Sequence, residues 1–336
     1  MAKQMPATIL LTGANGSLGI HLVGHLLDKH PEYTLLLTVR NTTAADPNTA
    51  KLLHVIAKYA TAKVSLRQLD LANISQVHSF ITTVQDEIKS TKLPPLKAFI
   101  ANAYWWTLIN EAQITEEGIE KTLQVNFVAN VALTLRFLGC FASRGCRIVL
   151  IGSDAHIVDH NPMQKYAPKI PDDLNKIAQP VDDNIDLFGH GFERYANSKL
   201  ALITWGNALH RRLGKDTNVN NITVAIVNPG NLYDSRAIIT NAPQWMIDLS
   251  SSLQTNADAV AAMAANDPTL RLSSEAAVDV ANFAVNAISP NQGGYFTLTR
   301  PDESSPESRD VATQDRLWVK SLAWARVSQQ ETQLAL

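Results

Sequence analysis

The sequence ATILLTGANGSLG, residues 7–19, joins an apolar run to three closely spaced glycines. Its first five residues are apolar or β-branched, which predicts a short buried strand, and a periodic apolar pattern from Leu18 to Lys29 predicts a helix. Glycines permit a tight turn and close approach of the backbone to a phosphate, and the first helical amides attract an anion. The segment therefore predicts a dinucleotide-binding loop, with a glycine turn that serves only packing as the alternative. The loop residues expected at the phosphates are Gly13, Asn15, Gly16, Ser17, Leu18 and Gly19.

Apolar strands alternate with longer periodic helices along the rest of the chain. Strands are predicted at 7–11, 33–39, 63–68, 96–101, 146–152 and 222–227. This order predicts an α/β fold with a doubly wound parallel sheet, in which a cofactor lies across the carboxyl ends of the strands. We expect residues 1–336 to form a single Rossmann-type catalytic domain, with an insertion at 154–194 near the substrate and C-terminal substrate-covering helices at 235–336.

Arg40 ends the second predicted strand, at the position where such folds meet the adenosine ribose. An acidic residue there would bind the 2′-hydroxyl of NAD, whereas a guanidinium forms charge-assisted hydrogen bonds with a 2′-phosphate. Arg40 therefore favours NADP(H), and Asn15 offers an additional polar contact. The alternative is an ordinary surface arginine, because no second basic residue follows closely.

Tyr195 and Lys199 lie four positions apart in an apolar helical run. Positions i and i+4 share one helix face, so a cationic lysine is expected to lower the pKa of the phenol from about 10 toward neutral pH. A phenol with such a pKa can exchange a proton with a carbonyl or alcohol oxygen. The spacing alone also fits an exposed helix face.

These features together resemble the short-chain dehydrogenase/reductase family, as far as about residue 235. The three glycines are spaced as in the extended branch of that family, whereas the downstream motifs resemble its retinol dehydrogenase type. Five further matches follow in the family's order. They are Asp70-Leu71, Asn102-Ala103, Val125-Asn126, Gly152-Ser153 and Asn228-Pro229-Gly230.

The resemblance implies a catalytic role for four residues. Ser153 would hydrogen-bond the substrate oxygen, Tyr195 would be the acid/base, Lys199 would bind the nicotinamide ribose, and Asn126 would hold a proton-relaying water. Asp234 stands where the family usually places a threonine, so either Ser235 takes over that cofactor contact or the contact is weakened. The remaining implied cofactor contacts are Asp70, Leu71, Asn102, Ala103, Pro229, Gly230 and Ser235, together with Tyr195 and Lys199.

Aromatic residues are expected around the substrate. Tyr104 and Trp105 follow the fourth strand and predict a pocket wall, while Trp106 is either wall or core. His156, three residues after Ser153, would line the mouth of the site or make a structural hydrogen bond. Trp245 would cover the substrate from the C-terminal part. Together these residues predict a fairly large apolar substrate.

The connection over residues 154–194 contains four prolines and an acidic cluster at Asp182, Asp183 and Asp186. Long connections in compact domains are usually functional or disordered. We expect a lid or wall of the substrate pocket, with a solvated surface excursion as the alternative. The tail from Asp310 to Val327 has helical spacing and predicts core or a subunit contact, which makes a homodimer the candidate assembly.

Composition favours a soluble enzyme. The chain has 336 residues, 46% of them hydrophobic, and a formal net charge of -2, which gives no electrostatic attraction for nucleic acid or an acidic membrane. Cys140 and Cys146 are expected to be reduced thiols. No leader opens the chain and no unbroken apolar run reaches about 18 residues, so we expect a cytoplasmic protein without a membrane span.

No metal site is predicted. His21 with His25 and His156 with His160 both have i, i+4 spacing, but neither pair has an obvious third ligand.

The sequence thus predicts an NADP(H)-dependent oxidoreductase that interconverts a ketone and a secondary alcohol. Its substrate would be a biosynthetic intermediate of polyketide, terpenoid or steroid type. Two alternatives remain open: an epimerase or isomerase that keeps its nicotinamide bound, and a catalytically dead NADP-sensing protein.

Overall fold

The computed structural model describes residues 5–181 and 185–336, and its centre is one eight-stranded sheet. The strands are β1 (Thr8–Thr12), β2 (Thr34–Val39), β3 (Val64–Gln68), β4 (Leu96–Ala101), β5 (Cys146–Ile151), β6 (Ile222–Asn228), β7 (Asn231–Leu232), β8 (Leu270–Arg271), β9 (Gly294–Thr297) and β10 (Arg300–Pro301). Their order in the sheet is β10-β9-β6-β5-β4-β1-β2-β3. Among the strands of the described residues, only β10 is antiparallel to its neighbour, and β7 pairs with β8 in a separate two-stranded sheet. The predicted α/β, mostly parallel, Rossmann-like sheet is confirmed.

Helices cover both faces of the sheet. They are α1 (Ser17–Lys29), α2 (Pro47–Ile56), α3 (Ile74–Lys89), α4 (Lys121–Leu123), α5 (Ala129–Phe137), α6 (Asn175–Ala178), α7 (Leu187–Leu213), α8 (Gln244–Thr255), α9 (Ala257–Ala264), α10 (Ser273–Ala284), α11 (Pro306–Arg309) and α12 (Val311–Ala325). A π-helical segment, Gln124–Val128, joins α4 to α5. The helix predicted to follow the glycine loop is α1.

Two apolar layers form the core because side chains of a strand alternate between the faces of a sheet. Leu10 and Phe99 point into one layer, which packs against α3, α5, α7 and α12. Leu11 and Val149 point into the other, which packs against α1 and α10. All five residues of β1 are buried, as expected for a strand with helices on both sides.

The strand order reverses at β1, which lies between β2 and β4. Connections from β1 and from β4 therefore leave in opposite directions, and a crevice opens at the carboxyl ends of these strands. The glycine-rich loop follows β1 into this crevice. The fold places the predicted dinucleotide site at the point where parallel α/β sheets bind ligands.

Lys121–Cys140 is one continuous helical stretch whose length and mean hydropathy of 1.3 would suffice to cross a membrane. In the fold, 89% of it is buried inside the protein, which matches a core helix. The C-terminal helix α12 is also core, because Trp318 stacks on Trp205 of α7 with 5.5 Å between the ring centroids. Cys140 and Cys146 are both buried and free.

The insertion packs against the C-terminal part of the chain and ends inside the long helix α7. The amide of Ile170 donates to Glu307, and the guanidinium of Arg316 donates to the carbonyl of Ile170. Asp182 and Asp183 of the expected acidic cluster lie outside the described residues. The third member, Asp186, caps the start of α7 by accepting a hydrogen bond from the amide of Gly189 at 2.9 Å.

Candidate active site

The glycine-rich loop is held against the end of β4. Gly13 has φ +65°, and a Cβ there would lie 2.8 Å from the Cα of Ala103, so neither its conformation nor its surroundings tolerate a side chain. The side-chain amide of Asn102 donates to the carbonyls of Thr12 and Gly13 at 3.0 and 3.1 Å. Asn102 therefore holds the loop in place, and Ala103 packs against Gly13. The contacts of both residues with the cofactor stay predictions.

The start of α1 is available to an anion. Gly16 occupies the N-cap position, and within the described part of the chain no side chain caps this helix. The first backbone N–H groups of a helix have no partner inside the helix, so they remain donors for a ligand. Ser17 and Leu18 supply two of these amides. The loop fits the pyrophosphate of a dinucleotide, which is the group that the sequence predicted here.

Arg40 is exposed at the end of β2 and lies beside the aromatic ring of Trp105, 5.9 Å from its centroid. The side chain of Asn15 turns toward the start of α2. Its amide donates to the hydroxyl of Thr49 at 3.0 Å and to the carboxylate of Asp46 at 3.5 Å. The predicted contact of Asn15 with the cofactor therefore competes with two contacts inside the fold.

The other residues with an implied cofactor contact lie just after β3 and β6. Asp70 follows β3 and stabilises its turn by accepting from the amide of Ala72 at 2.9 Å, while Leu71 is buried. Gly230 has φ +88°, and a Cβ there would lie 2.4 Å from the carbonyl oxygen of Thr269. Pro229 accepts from the guanidinium of Arg271 at 2.7 Å.

Asp234 and Ser235 point in different directions. The carboxylate of Asp234 accepts from the amide and the hydroxyl of Ser273 at 2.8 and 2.6 Å, which attaches the loop to α10. Ser235 instead caps the short 3-10 helix Arg236–Ile239, and its hydroxyl interacts with Tyr104. Ser235 is thus the residue of the two that lies beside Tyr104, and its contact with the cofactor stays a prediction.

Ser153, Tyr195 and Lys199 converge at the end of β5. Ser153 lies two residues after the end of β5 and interacts through its hydroxyl with the phenol of Tyr195. Lys199, only 3% exposed, donates from Nζ to the carbonyl of Ile151 at 2.8 Å. The same Nζ lies 5.7 Å from the ring centroid of Tyr195. Helix α7 brings the phenol and the amine to one face, as their spacing predicted.

The expectation that Lys199 lowers the pKa of Tyr195 is wrong for this structure. Burial raises the pKa of the Tyr195 phenol, Tyr104 raises it further, and the hydroxyl of Ser153 lowers it in part. Burial also lowers the pKa of Lys199 to about 7, so the amine is not fully charged at neutral pH. Desolvation therefore outweighs the attraction that the helical spacing suggested.

Asn126 lies in the π-helical segment and is almost fully buried. Its carboxamide accepts from the amide of Trp105 at 2.7 Å and donates to the carbonyl of Trp105 at 3.0 Å. It also donates to the hydroxyl of Ser198 at 2.9 Å. The side chain thus fixes the segment after β4 against α7, and the relay through a bound water stays a prediction.

The three aromatic residues after β4 point to opposite sides. The rings of Tyr104 and Trp106 lie 6.1 and 5.2 Å from the ring of Tyr195. Trp105 points the other way, with Nζ of Lys121 4.0 Å from its centroid. Successive side chains of an extended segment alternate in direction. Trp105, which was predicted as a pocket wall, therefore faces away from Tyr195, whereas Trp106 faces it.

An apolar cluster surrounds Tyr195, and most of its members were not predicted. Trp245 is 50% exposed, and its ring lies 5.5 Å from that of Phe188, measured between centroids. Its neighbour Met246 is buried instead, because adjacent positions of a helix face different directions. The buried members are Trp106, Leu108, Ala155, Phe192, Ala196, Ala242 and Met246.

His156 has a structural role and does not line the mouth of the site. It is 1% exposed, and both ring nitrogens have partners. Nδ1 lies 2.6 Å from the carbonyl of Ser153, and Nε2 accepts from the amide of Ser305 at 3.0 Å. The ring is therefore neutral, with its proton on Nδ1, and it connects the backbone of Ser153 to the C-terminal part of the chain.

Burial lowers the pKa of His156 from 6.5 to about 4. Between pH 6.5 and 4 His156 is protonated in the unfolded chain but neutral in the folded protein. Lowering the pH through this range therefore favours unfolding, and we expect His156 to lower the free energy of unfolding by up to about 3 kcal/mol. The substitution His156→Gln should flatten this dependence. Urea unfolding of the wild type and the variant at pH 7 and pH 4.5 measures the free energy of unfolding. An equal loss of stability in both proteins between these pH values would contradict the prediction.

A model of the short chain dehydrogenase family matches residues 7–168, and one of the AcuH dehydrogenase domain matches residues 254–334. The chain is 26% identical over 365 residues to the short-chain dehydrogenase iccH of Talaromyces variabilis, with 97% of each chain covered. It is 28% identical to the short chain dehydrogenase resG of Aspergillus sclerotiorum over 238 residues. This aligned region covers 66% of the present chain and 61% of resG.

Solved structures agree in fold. The NADPH-bound carbonyl reductase from chicken fatty liver superposes with a TM-score of 0.56 at 15% identity, covering 90% of this chain and all of that one. The glycine loop at the switch point, the Ser153, Tyr195 and Lys199 arrangement and the matching family model agree with one another. Over residues 7–168 the chain matches the short-chain dehydrogenase/reductase family, and along almost its whole length it is similar to a protein named as a short-chain dehydrogenase.

Proposed function

We propose that the protein is an NADP(H)-dependent oxidoreductase that interconverts a ketone and a secondary alcohol on a fairly large apolar substrate. One observation carries this proposal: Ser153, Tyr195 and Lys199 meet at the carboxyl end of the sheet, beside the phosphate loop and inside an apolar cluster. A carbonyl that reaches Tyr195 would therefore meet a proton donor in surroundings from which water is largely excluded.

The phenol of Tyr195 is in the protonated form that carbonyl reduction requires. Because burial raises the pKa of Tyr195, its hydroxyl stays protonated at neutral pH and can donate a proton to a developing alkoxide. Ser153 would hold the same oxygen by a hydrogen bond. Lys199, with a pKa of about 7, can gain or lose a proton near neutrality and so restore the phenol after turnover.

NADP(H) would supply or accept the hydride when bound. The amides of Ser17 and Leu18 would hold its pyrophosphate, and Arg40 would face the 2′-phosphate. NADP forms are named for solved structures of this fold, including the carbonyl reductase from chicken and RhlG of Pseudomonas aeruginosa. Those cofactors are bound by those proteins, and they make NADP(H) the first cofactor to test for this one.

The substrate wall is apolar on several sides. Trp106 and Phe192 approach Tyr195 directly, and Met163 and Phe188 extend the cluster from the insertion. Polyketide, terpenoid and steroid-like intermediates carry carbonyl groups on apolar skeletons of matching character. The contribution of Met163 and Phe188 supports the interpretation of residues 154–194 as a pocket wall.

A panel of apolar ketones incubated with the protein and NADPH tests the function. Loss of NADPH absorbance in stoichiometric proportion to alcohol formed is the expected result. Turnover of a substrate without net loss of NADPH would instead support an epimerase or isomerase. NADPH binding without turnover on any member of a broad panel would favour a cofactor-sensing protein.

The substitution Arg40→Asp is expected to reverse the cofactor preference. A carboxylate there repels a 2′-phosphate and can accept a hydrogen bond from the ribose 2′-hydroxyl of NADH. We expect the ratio of the Kd values, NADH over NADPH, to fall by at least about tenfold, measured by titration calorimetry. An unchanged ratio would exclude Arg40 as a ligand of the 2′-phosphate.

A further inference from the structure

We propose that Arg236 is a second ligand of the 2′-phosphate of NADP(H), supplied by the loop that follows β6. The inference rests on the proposed function, since it concerns the cofactor of that site. Neither the sequence motifs nor the resemblance to the family indicated this residue. It is identified by its position across the phosphate loop.

Arg236 bridges two parts of the chain that are distant in sequence. Its amide donates to the hydroxyl of Ser17 at 3.0 Å, which places the start of the 3-10 helix directly on the glycine-rich loop. Its guanidinium then extends along the loop and donates to the carbonyl of Asn15 and to the carboxamide oxygen of Asn48. The charged group thus lies between the loop and the start of α2.

The guanidinium of Arg236 donates to two neutral acceptors, the carboxamide of Asn48 and the carbonyl of Asn15. Within residues 5–181 and 185–336 it forms no ion pair with a carboxylate. The nearest acidic influence is Asp46, whose carboxylate already accepts from the amides of Asn48 and Thr49 at 3.0 and 2.7 Å. Burial removes part of the water around the Arg236 guanidinium and thereby lowers its pKa. A partly desolvated cation with neutral acceptors gains most from an incoming anion.

The position of this cation indicates the 2′-phosphate and not the pyrophosphate. The pyrophosphate is expected at the first amides of α1, whereas Asn15 and Asn48 lie on the side of the loop that faces α2. A hydrogen-bond chain leads from there to the end of β2. The hydroxyl of Thr49 donates to the carbonyl of Asn41 at 2.7 Å and accepts from Asn15 at 3.0 Å. Asn41 directly follows Arg40, so both guanidinium groups border the expected adenosine ribose.

The test compares the binding of NADPH and NADH to the whole protein by titration calorimetry. We expect Arg236→Gln to raise the Kd for NADPH by about 10- to 100-fold, the value of a lost charge-assisted hydrogen bond, and to leave the Kd for NADH within about threefold. The fragments 2′,5′-ADP and 5′-AMP should show the same contrast. An equal loss with both cofactors would assign Arg236 to the pyrophosphate, and no loss would leave it without a role in binding; either result overturns the proposal.

Two further variants keep the outcome interpretable. Arg236→Lys retains the charge but loses the two-pronged geometry, so an intermediate loss of NADPH affinity is expected even if Arg236→Gln folds poorly. Arg300→Gln removes the same charge from β10 at the far edge of the sheet and should change neither affinity. If the wild-type protein itself shows no preference for NADPH, the proposed cofactor fails together with this inference. If the wild type prefers NADPH and both Arg236 variants keep that preference, only this inference fails.

Discussion

Replacing Tyr195 with phenylalanine is expected to slow carbonyl reduction by about a thousandfold while NADPH binding stays unchanged. The hydroxyl is the group that would transfer the proton, and the ring that remains still fills its place against Trp106 and Phe192. Because the substitution leaves this packing intact, the loss should appear in kcat and not in the Kd of the cofactor. Single-turnover rates and NADPH titrations on the same preparation measure the two quantities separately.

Tyr104 provides the matched control for this substitution. Its ring lies 6.1 Å from that of Tyr195, and Nζ of Lys199 lies 5.5 Å from its centroid, so both phenols share one environment. Tyr104→Phe removes an equivalent hydroxyl that interacts with Ser235, and we expect it to change kcat by less than about tenfold. Full activity of Tyr195→Phe would refute the assigned acid/base. If Tyr104→Phe lost activity and Tyr195→Phe kept it, the acid/base would be Tyr104 and not Tyr195.

The sheet could be predicted closely because each strand is buried on both faces and is therefore apolar along its whole length. The strand expected at 96–101 is Leu96–Ala101, and the one expected at 33–39 is Thr34–Val39. Ser153 and Asn102 could be located as well, because each comes directly after a predicted strand. Their place at the carboxyl edge is fixed once the sheet is parallel.

Side-chain direction could not be predicted in the irregular segments. Trp105 and Trp106 are identical and adjacent, and only the backbone of the segment after β4 decides which of them faces Tyr195. His156 posed the same problem, since its partner Ser305 is distant in sequence and the hydrogen bond exists only after the tail has folded back. Such contacts have no local sequence signature.

Charge behaviour in the site also depends on the completed fold. The i, i+4 spacing of Tyr195 and Lys199 gave their proximity correctly but the direction of the phenol's pKa shift wrongly. Spacing reports the distance between two groups, whereas burial depends on everything packed around them, including Tyr104. Arg236 was missed for a similar reason, because its contact with Asn15 joins loops that are far apart in the chain.

The substitution Gly19→Ala is expected to weaken NADPH binding by about a hundredfold and to destabilise the fold by about 1–3 kcal/mol. A Cβ at this position would lie 2.5 Å from the carbonyl oxygen of Gly13 and 2.8 Å from that of Ala14. Both atoms belong to the backbone of the phosphate loop, so they cannot turn aside as a flexible side chain would. The loop itself must shift, and the amides of Ser17 and Leu18 lose their alignment.

Gly24→Ala in the same helix separates this effect from the general consequences of adding a methyl group to α1. Its Cβ would meet only the side chain of Val55, at an ordinary 3.4 Å. Removing a glycine from a helix interior should stabilise the protein by about 0.5–1 kcal/mol, with NADPH affinity unchanged. Thermal unfolding and calorimetric titration of both variants measure the contrast. Normal NADPH binding by Gly19→Ala would show that the glycine-rich turn serves helix packing alone, because a displaced loop could not then be the surface that holds the phosphates.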